Sequence, residues 1–521
     1  MADRYREHRS RLAEIVGSDG IAVIPAAAET IRNDDVTHDF RQESNFVYLT
    51  GFEEPDAVAV IAPGHPEGEF VLFVRPRDPE MEAWNGYRAG VEGARSRYGA
   101  DVAYNIGEID EVLPRMMLGR SELWYRLGNT AHDARITNLV GKARAYRDRY
   151  GRPAPEVVRD ISDALGQMRL VKSEAELESM RAAALLSAEG HREAMRFARP
   201  GLHEYQVQAA MEYIRREGGS PRNGYGSIVA SGPNACILHY VENDREVEDG
   251  DLILIDAAAE IDYYSADITR TFPANGKFTA PQRALYDVVL AAQRAAIAEA
   301  RPGAAWKTMH DTATRVLTEG LVDLGLLPKG VDESLAMHHY REYYFHGTGH
   351  WLGLDVHDQG SYRLEGESRP LTEGMVFTVE PGLYLDITKP KRSFALLEYD
   401  LDKWTEERIL EGRPARDRQE KLQAEAEQVE FEVPAEFVGL GIRIEDDILI
   451  DADGHENLTS HVPVDPDKIE ALCAEESWLA GEAVEALDGR GPEPDPFRDR
   501  IARHGAQFCR EKPLLTGANW G

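Results

Sequence analysis

Short apolar runs separated by turn residues fill the chain up to about residue 165. GIAVIPA (20–26), FVYLTGF (46–52), AVAVIAP (57–63) and FVLFVRP (70–76) are rich in Val, Ile and Phe and are bounded by Gly or Pro, which predicts four buried strands. Residues 3–16 show the period of an amphipathic helix, and 153–169 predict another, with its proline at the start where a missing N–H costs nothing. Together these segments describe a small α/β domain.

A longer helix is predicted over 173–195. Ser173 followed by Glu174, Glu176 and Glu178 makes a capped, acidic first turn, and Leu177, Met180, Leu185 and Leu186 supply an apolar face. The ordinary reading of those acids is a solvated face. From 200 to 385, helix pairs alternate with longer strands. LILIDA and YYSADITRTF within 251–272 read as antiparallel neighbours, GMVFTVEPGLYL (374–385) as a strand ending at a Pro-Gly turn, and GIRIEDDILI (441–450) as an alternating strand. Residues 400–430 are dense in Glu, Arg, Lys and Gln, a composition that fits an exposed helix or a mobile excursion equally well. The tail predicts one helix over 467–486 and a loop at GRGPEPDP (489–496). No internal repeat of 20–50 residues is evident.

At 521 residues the chain is too long for one ordinary core, and 42% apolar with 29% charged residues is the mixture of a globular protein. Asp plus Glu total 92 against 59 Lys plus Arg, a formal charge of −33, which argues against a nucleic-acid partner because phosphate contacts need concentrated Lys and Arg. No run is long enough to span a membrane, and the opening MADRYREHRSRLAEI lacks the apolar centre of a signal peptide. Three cysteines, Cys236, Cys473 and Cys509, make no disulfide framework, so a reducing cytoplasm is expected.

Candidate chemistry sits on or beside the apolar strands. Asp256 ends LILID, Asp267 lies within YSADITRTF, His350 in HGTGHWLGLDVHD, Glu380 in FTVEPG and Glu445 in GIRIEDD. Charges in strands are costly unless paired or metal-bound. Four carboxylates and an imidazole form an oxygen-rich set suited to Mn²⁺, Co²⁺, Fe²⁺ or Zn²⁺, with no thiolate zinc site at hand. Each residue alone has an ordinary alternative: Asp256 or Glu445 as a capping carboxylate, Asp267 paired with Arg270, Glu380 paired with Arg443, His350 as a core histidine. Periodicity leaves their convergence open. His239 in CILHY, and His346, His350 and His357 among Gly347, Gly349 and Gly353, form a histidine-rich set that is not HExxH. GxGxxG opening a helix after a strand, GxxxxGK[ST] and GxSxG are all absent.

HGTGHWLGLDVHD, IDAAAEIDYYSADITRTFPANGKFT, TVEPGLYL and GIRIEDD resemble, in order, the metal-site motifs of aminopeptidase P, the Xaa-Pro aminopeptidase branch of the methionine aminopeptidase/prolidase superfamily. HDFRQESNFVYLTGF resembles the non-catalytic domain of that branch, and the likeness runs from about residue 5 to 455 with one interruption. It implies an α/β architecture: an N-terminal mixed α/β domain (1–170), then a pita-bread catalytic domain (171–460) with an insertion at about 386–440, and a C-terminal extension (461–521) of unknown role.

The resemblance further implies two divalent ions per chain, manganese by preference. Asp256 would bind one ion, Asp267 and Glu445 would bridge both, and His350 with Glu380 would complete the other. The implied activity is hydrolysis of the N-terminal Xaa-Pro bond of peptides by a water or hydroxide shared between the metals, with Glu380 deprotonating it. His357 would contact the scissile carbonyl and His239 the proline, beside His346 and Arg443, with Tyr225 as a pocket residue. Trp84 resembles a tryptophan that reaches a neighbouring subunit's site, which implies a homo-oligomer, dimer or tetramer. The alternatives are a prolidase acting on Xaa-Pro dipeptides and a metal-free peptide-binding module. Two departures stand out: Asn45 where some members carry an aspartate, and the long insertion, which either leans over the cleft to restrict substrate length or is a solvated excursion.

Overall fold

The computed structural model describes residues 2–396 and 401–479. The chain divides into two compact units, one of Met1–Val171 with Asp358–Ser361, the other of Lys172–His357 with the chain from Tyr362 onward. No helix among the described residues is long and apolar enough to cross a membrane.

The first unit is built on a six-stranded mixed sheet in the order Val102–Asn105, Phe70–Val74, Val58–Ile61, Gly20–Pro25, Glu122–Trp124, Val157–Arg159. Strand Gly20–Pro25 pairs antiparallel with Val58–Ile61 and parallel with Glu122–Trp124. The central strands are covered on both faces, which is why they read as unbroken apolar runs. Helices Ile109–Met116 and Thr130–Tyr150 bring Leu113 and Leu139 into one core with Val60 and Phe73.

Two expectations fail in this unit. Residues 46–52 are not a strand: Ser44–Thr50 is a helix, buried at every position. A helix buried on all sides, with Phe46, Val47, Tyr48 and Leu49 in an unbroken run, carries no 3.6-residue signal, so its period cannot be told from that of a buried strand. Its ends decide the matter. The Glu43 side chain caps it by accepting from the Phe46 N–H at 2.7 Å, and Gly51, at φ 62°, closes it by donating to the Val47 carbonyl. The helix expected over 153–169 is instead the edge strand Val157–Arg159 followed by helix Ser162–Leu170. β-branched Val157 and Val158 suit the sheet, and Arg159 locks onto Glu122 of the neighbouring strand with contacts of 2.5 and 2.7 Å.

The second unit opens with helix Glu174–Phe197, whose capping box has Glu176 accepting from the Ser173 N–H at 2.8 Å and the Ser173 hydroxyl at 2.7 Å. Glu176 is nonetheless buried, and its other oxygen accepts from the Tyr264 hydroxyl at 2.7 Å, so this acid does not belong to a solvated face. Helices and strands of the unit share a core that includes Met195, Val207, Ile253, Phe272, Leu285 and Ile442.

Strands Ile228–Ser231, Leu252–Asp256 and Thr269–Pro273 form one antiparallel sheet; Val376–Val379, Asp446–Ile450 and His455–Asn457 form another; Gly382–Tyr384 pairs with Gly441–Arg443. Three of these segments are broken, two where a continuous strand is expected and one at the expected Pro381–Gly382 turn. Asp267 lies between Tyr264–Ser265 and Thr269–Pro273, Glu380 between Val376–Val379 and Gly382–Tyr384, and Glu445 between Gly441–Arg443 and Asp446–Ile450. Pro381 lacks the N–H a ladder requires. The registers Val379↔Asp446 and Gly382↔Arg443 set the last two breaks side by side, and the Glu445 N–H turns to the Thr269 carbonyl at 3.1 Å.

The described residues of the insertion form strands and helices. Strands Lys391–Ala395 and Gln428–Glu432 pair as a ribbon that carries helices Leu401–Glu411 and Arg413–Glu425. Phe394, Val433 and Phe437 root the ribbon in the core of the unit. Between the helices, the buried Gln419 amide donates to the Trp404 carbonyl at 3.0 Å and to Glu407 at 3.1 Å, and accepts from Arg408 at 2.7 Å. The expected tail helix is Pro466–Cys473 within the described residues; the rest of 467–486 beyond 479, the loop at 489–496 and Cys509 lie outside them.

The cap at Gly51 yields a direct expectation. A Cβ there would lie 2.4 Å from the Tyr5 ring, in a left-handed conformation that disfavours L side chains. Gly51→Ala should lose about 1–3 kcal/mol of stability, read as a lower urea midpoint, and an unchanged midpoint would contradict this account of the helix end.

Candidate metal centre

The three broken strands and the end of Leu252–Asp256 deliver four carboxylates to one place. Ligand atoms of Asp267, His350 and Glu445 all lie within 4.8 Å of one another. His350 Nε2 is 3.4 Å from Asp267 Oδ2 and 3.7 Å from Glu380 Oε1. Asp256 joins through Tyr225, whose hydroxyl is 2.5 Å from both Asp256 Oδ1 and Asp267 Oδ1. A phenol has one hydrogen to give, so it satisfies only one of these oxygens at a time.

His350 reaches this point because Gly349 lets its turn lie flat on strand Val376–Val379. A Cβ at Gly349 would fall 1.9 Å from the Thr378 carbonyl oxygen. The Thr378 hydroxyl accepts from the His350 N–H at 3.1 Å, the Thr378 N–H donates to the His350 carbonyl at 2.9 Å, and the Glu380 N–H donates to the Thr348 carbonyl at 2.7 Å. His350 Nδ1 faces the Trp351 carbonyl at 3.1 Å, which assigns a hydrogen to Nδ1 and turns Nε2 toward the carboxylates.

Arg443 is the nearby counter-charge. Its guanidinium donates to Asp256 Oδ2 at 2.5 Å, the Thr269 hydroxyl at 3.1 Å and the Tyr384 hydroxyl at 3.1 Å. Thr269 in turn donates to Glu445 at 2.6 Å. Arg443 therefore pairs with Asp256 rather than Glu380, and Arg270 with Asp446 (2.6 Å) rather than Asp267. The Asp267 N–H donates to Asp447 Oδ2 at 3.0 Å, and Asp447 Oδ1 is buried without a hydrogen-bond partner among the described residues.

Negative charge exceeds what these partners neutralise. Burial first, then Asp267, Glu380 and Asp256, raise Glu445 well above the carboxylate range. Burial also raises Asp256 against the pull of Arg443, and takes Glu380 up to about 7 against His350 and Arg443. Burial alone would lower His350, but its bond to Asp267 and the charges of Asp267 and Glu380 raise it to about 9. Asp447 is raised by burial and by Asp267. A buried oxygen-rich set that holds protons for want of positive charge fits a divalent cation.

The histidines divide into inner and outer groups. His346 Nε2 meets the Tyr384 hydroxyl at 2.9 Å, and burial with the charge of Arg443 lowers the ring to about 3, so it is neutral. His357 is exposed, its ring centroid 4.3 Å from that of His350, and partial desolvation with the charge of His350 lowers it. His239 is exposed too, and its charge is felt by both His346 and His357. Tyr225, expected as a pocket residue, turns its hydroxyl onto two candidate ligands. Trp84 lies on helix Pro79–Asn85 of the first unit and is 81% exposed. Asn45, also in the first unit, is buried and accepts from Arg169 at 2.8 Å.

Sequence reading missed Tyr384, Thr269, Thr378 and Asp447. The third acid of GIRIEDD and the tyrosine of GLYL were visible beside the chosen residues, but their partners are distant in sequence.

The model of metallopeptidase family M24 matches residues 178–452, and that of the aminopeptidase P N-terminal domain matches residues 5–124. The chain is 38% identical to the Xaa-Pro aminopeptidases of Haemophilus influenzae and Escherichia coli, over 90% of its length and 97% of theirs. Among solved structures, Pseudomonas aeruginosa aminopeptidase PepP aligns at a TM-score of 0.81 with 44% identity, over 91% of this chain and 98% of that one. Zinc-substituted Escherichia coli aminopeptidase P in complex with product aligns at 0.80 with 37% identity, over the same shares of the two chains. The fold is thus a mixed α/β N-terminal domain with a pita-bread catalytic domain. The chain belongs to metallopeptidase family M24 and is closely related to its aminopeptidase P members.

Proposed function

We propose that the protein is a metal-dependent Xaa-Pro aminopeptidase. The buried Asp267–His350–Glu445 cluster, flanked by Asp256 and Glu380, is the observation that carries this reading, since its excess negative charge calls for cations. Asp256, Asp267, His350, Glu380 and Glu445 would hold two divalent ions, manganese being the expected occupant. Such ions, when bound, supply Lewis acidity and water of lowered pKa.

The chain's own groups supply the rest. The side chain of Glu380 is 17% exposed against 6% for Asp267, so Glu380 is the better placed to take a proton from the attacking water. Cleavage leaves the proline nitrogen with a lone pair that needs a proton, and Glu380 can return the one it took. His357 is assigned to the oxygen of the scissile carbonyl, where negative charge develops, and His239 to the proline side of the bond. His346, neutral and fixed by Tyr384, lines the same approach, and Arg443 holds Asp256 in its ligand orientation. A cytoplasmic homo-oligomer, dimer or tetramer, belongs to the same reading, supported by the free thiols of Cys236 and Cys473 and by the exposure of Trp84.

Manganese-loaded protein should release the first residue of Xaa-Pro-Yaa peptides and cleave Xaa-Pro-Yaa-Zaa faster than the Xaa-Pro dipeptide at matched concentration. Preference for the dipeptide would make it a prolidase, and less than one ion per chain after purification with Mn²⁺ would favour a binding module. Asp267→Asn should lose metal together with activity, whereas His357→Ala should keep metal and lose about 10²-fold in kcat and kcat/KM alike. Equal metal loss in both variants would show the roles to be misassigned.

Metal loading should release protons. The metal-free centre holds hydrogen on groups raised above their usual range, and ligands must shed it to bind. Affinity should therefore weaken as the medium goes from about pH 8 to about pH 6. Titration calorimetry in buffers of different ionisation enthalpy measures the release, and zero net release would refute this account of the cluster.

A further inference from the structure

Glu204, the first residue of helix Glu204–Glu217, is a fully buried carboxylate that no step above uses. Its Oε1 accepts from the Ser231 N–H at 2.6 Å, the Ser231 hydroxyl at 2.7 Å and the Asn234 amide at 3.2 Å. Its Oε2 accepts from the Tyr240 hydroxyl at 2.7 Å and the Arg245 N–H at 3.0 Å. Ser231 and Asn234 precede His239 in the chain, while Tyr240 and Arg245 follow it. One side chain thereby closes both ends of the loop that presents His239.

The rest of the loop depends on that closure. The Arg245 guanidinium donates to the Ser231 hydroxyl oxygen at 2.7 Å, and the Glu204 N–H donates to the Arg245 carbonyl at 3.0 Å. The turn Gly232–Cys236 presses so closely on strand Gly441–Arg443 that a Cβ at Gly441 would fall 2.2 Å from the Ala235 carbonyl oxygen. Beyond this seam the tip is open, with Ile237 and Val241 53% and 55% exposed. Among the described residues no hydrogen bond holds the His239 imidazole, so its placement comes from the loop backbone.

We propose that Glu204 is a positioning residue for peptide hydrolysis: it fixes the 231–245 loop so that His239 meets the substrate in one orientation. The proposal rests on His239 being a substrate-side group. All five partners of Glu204 donate, and a carboxylate alone accepts from all of them. The neutral amide of glutamine would turn N–H groups toward at least one donor pair, leaving buried donors unsatisfied.

The test is a double-mutant cycle in the full-length, manganese-loaded enzyme, with Glu204→Gln and His239→Ala singly and combined, read as kcat/KM on a Xaa-Pro-Yaa tripeptide. Glu204→Gln should lower kcat/KM about tenfold at unchanged metal content, and less than about twofold once His239 is alanine. Equal loss in both backgrounds, or no loss in either, overturns the assignment of Glu204 and leaves the reading of His239 standing. A His239→Ala variant with parental kinetics overturns that reading and this assignment together. Tyr240→Phe, which deletes one donor and adds none, serves if Glu204→Gln fails to fold. Its loss, about threefold, should likewise vanish without His239, and a loss that persists there overturns the proposal.

Discussion

Asp256, Asp267, Glu380 and Glu445 share a buried cluster with Arg443 and His350, and the repulsion among the carboxylates has to be met somewhere. Two like charges 4 Å apart cost about 4 kcal/mol at the effective dielectric of a partly buried pair. Arg443 offsets part of this at Asp256, and Thr269 and Tyr225 supply hydroxyl hydrogens to Glu445 and to one aspartate at a time. Hydrogen bonds of this kind orient the carboxylates but add no positive charge. Protons or divalent cations must supply the remainder, and the backbone is arranged so that either can.

That arrangement is a set of interruptions. A continuous strand would point alternate side chains to opposite faces and keep its backbone groups in the ladder. By ending the ladder at 266–268, at Glu380–Pro381 and at Ile444–Glu445, the chain frees each acid from that alternation while the flanking strands stay in register. The freed backbone groups find partners locally, as with the Glu380 N–H on Thr348 and the Asp267 N–H on Asp447. Rigid sheet on either side of each break is what makes the geometry of the centre reproducible.

The acids of the candidate centre were legible one by one because an acid inside an apolar run is conspicuous, and the order of the motifs named the family. Their convergence was not legible, since it depends on pairings such as Thr269 with Glu445 that join residues far apart in the chain. The false strand at 46–52 shows the same limit from the other side: wholly buried segments carry length but no period, and the caps at Glu43 and Gly51 that settle the matter are ordinary residues in sequence. The pairing choices of Arg443 and Arg270 were equally invisible. Each had an acid close by in sequence or motif and took a different one in space.

The ribbon at the foot of the insertion has an implication for how such a chain can change over time. Its two strands enter and leave about 5 Å apart, held by their own ladder and by Phe394, Val433 and Phe437. Whatever lies beyond Ala395 and Gln428 is thus uncoupled from the spacing of Glu380 and Glu445. Residues can be gained, lost or exchanged there without re-registering the strands that carry the acids. This makes the hairpin a natural port for grafting a foreign tag or domain onto the enzyme.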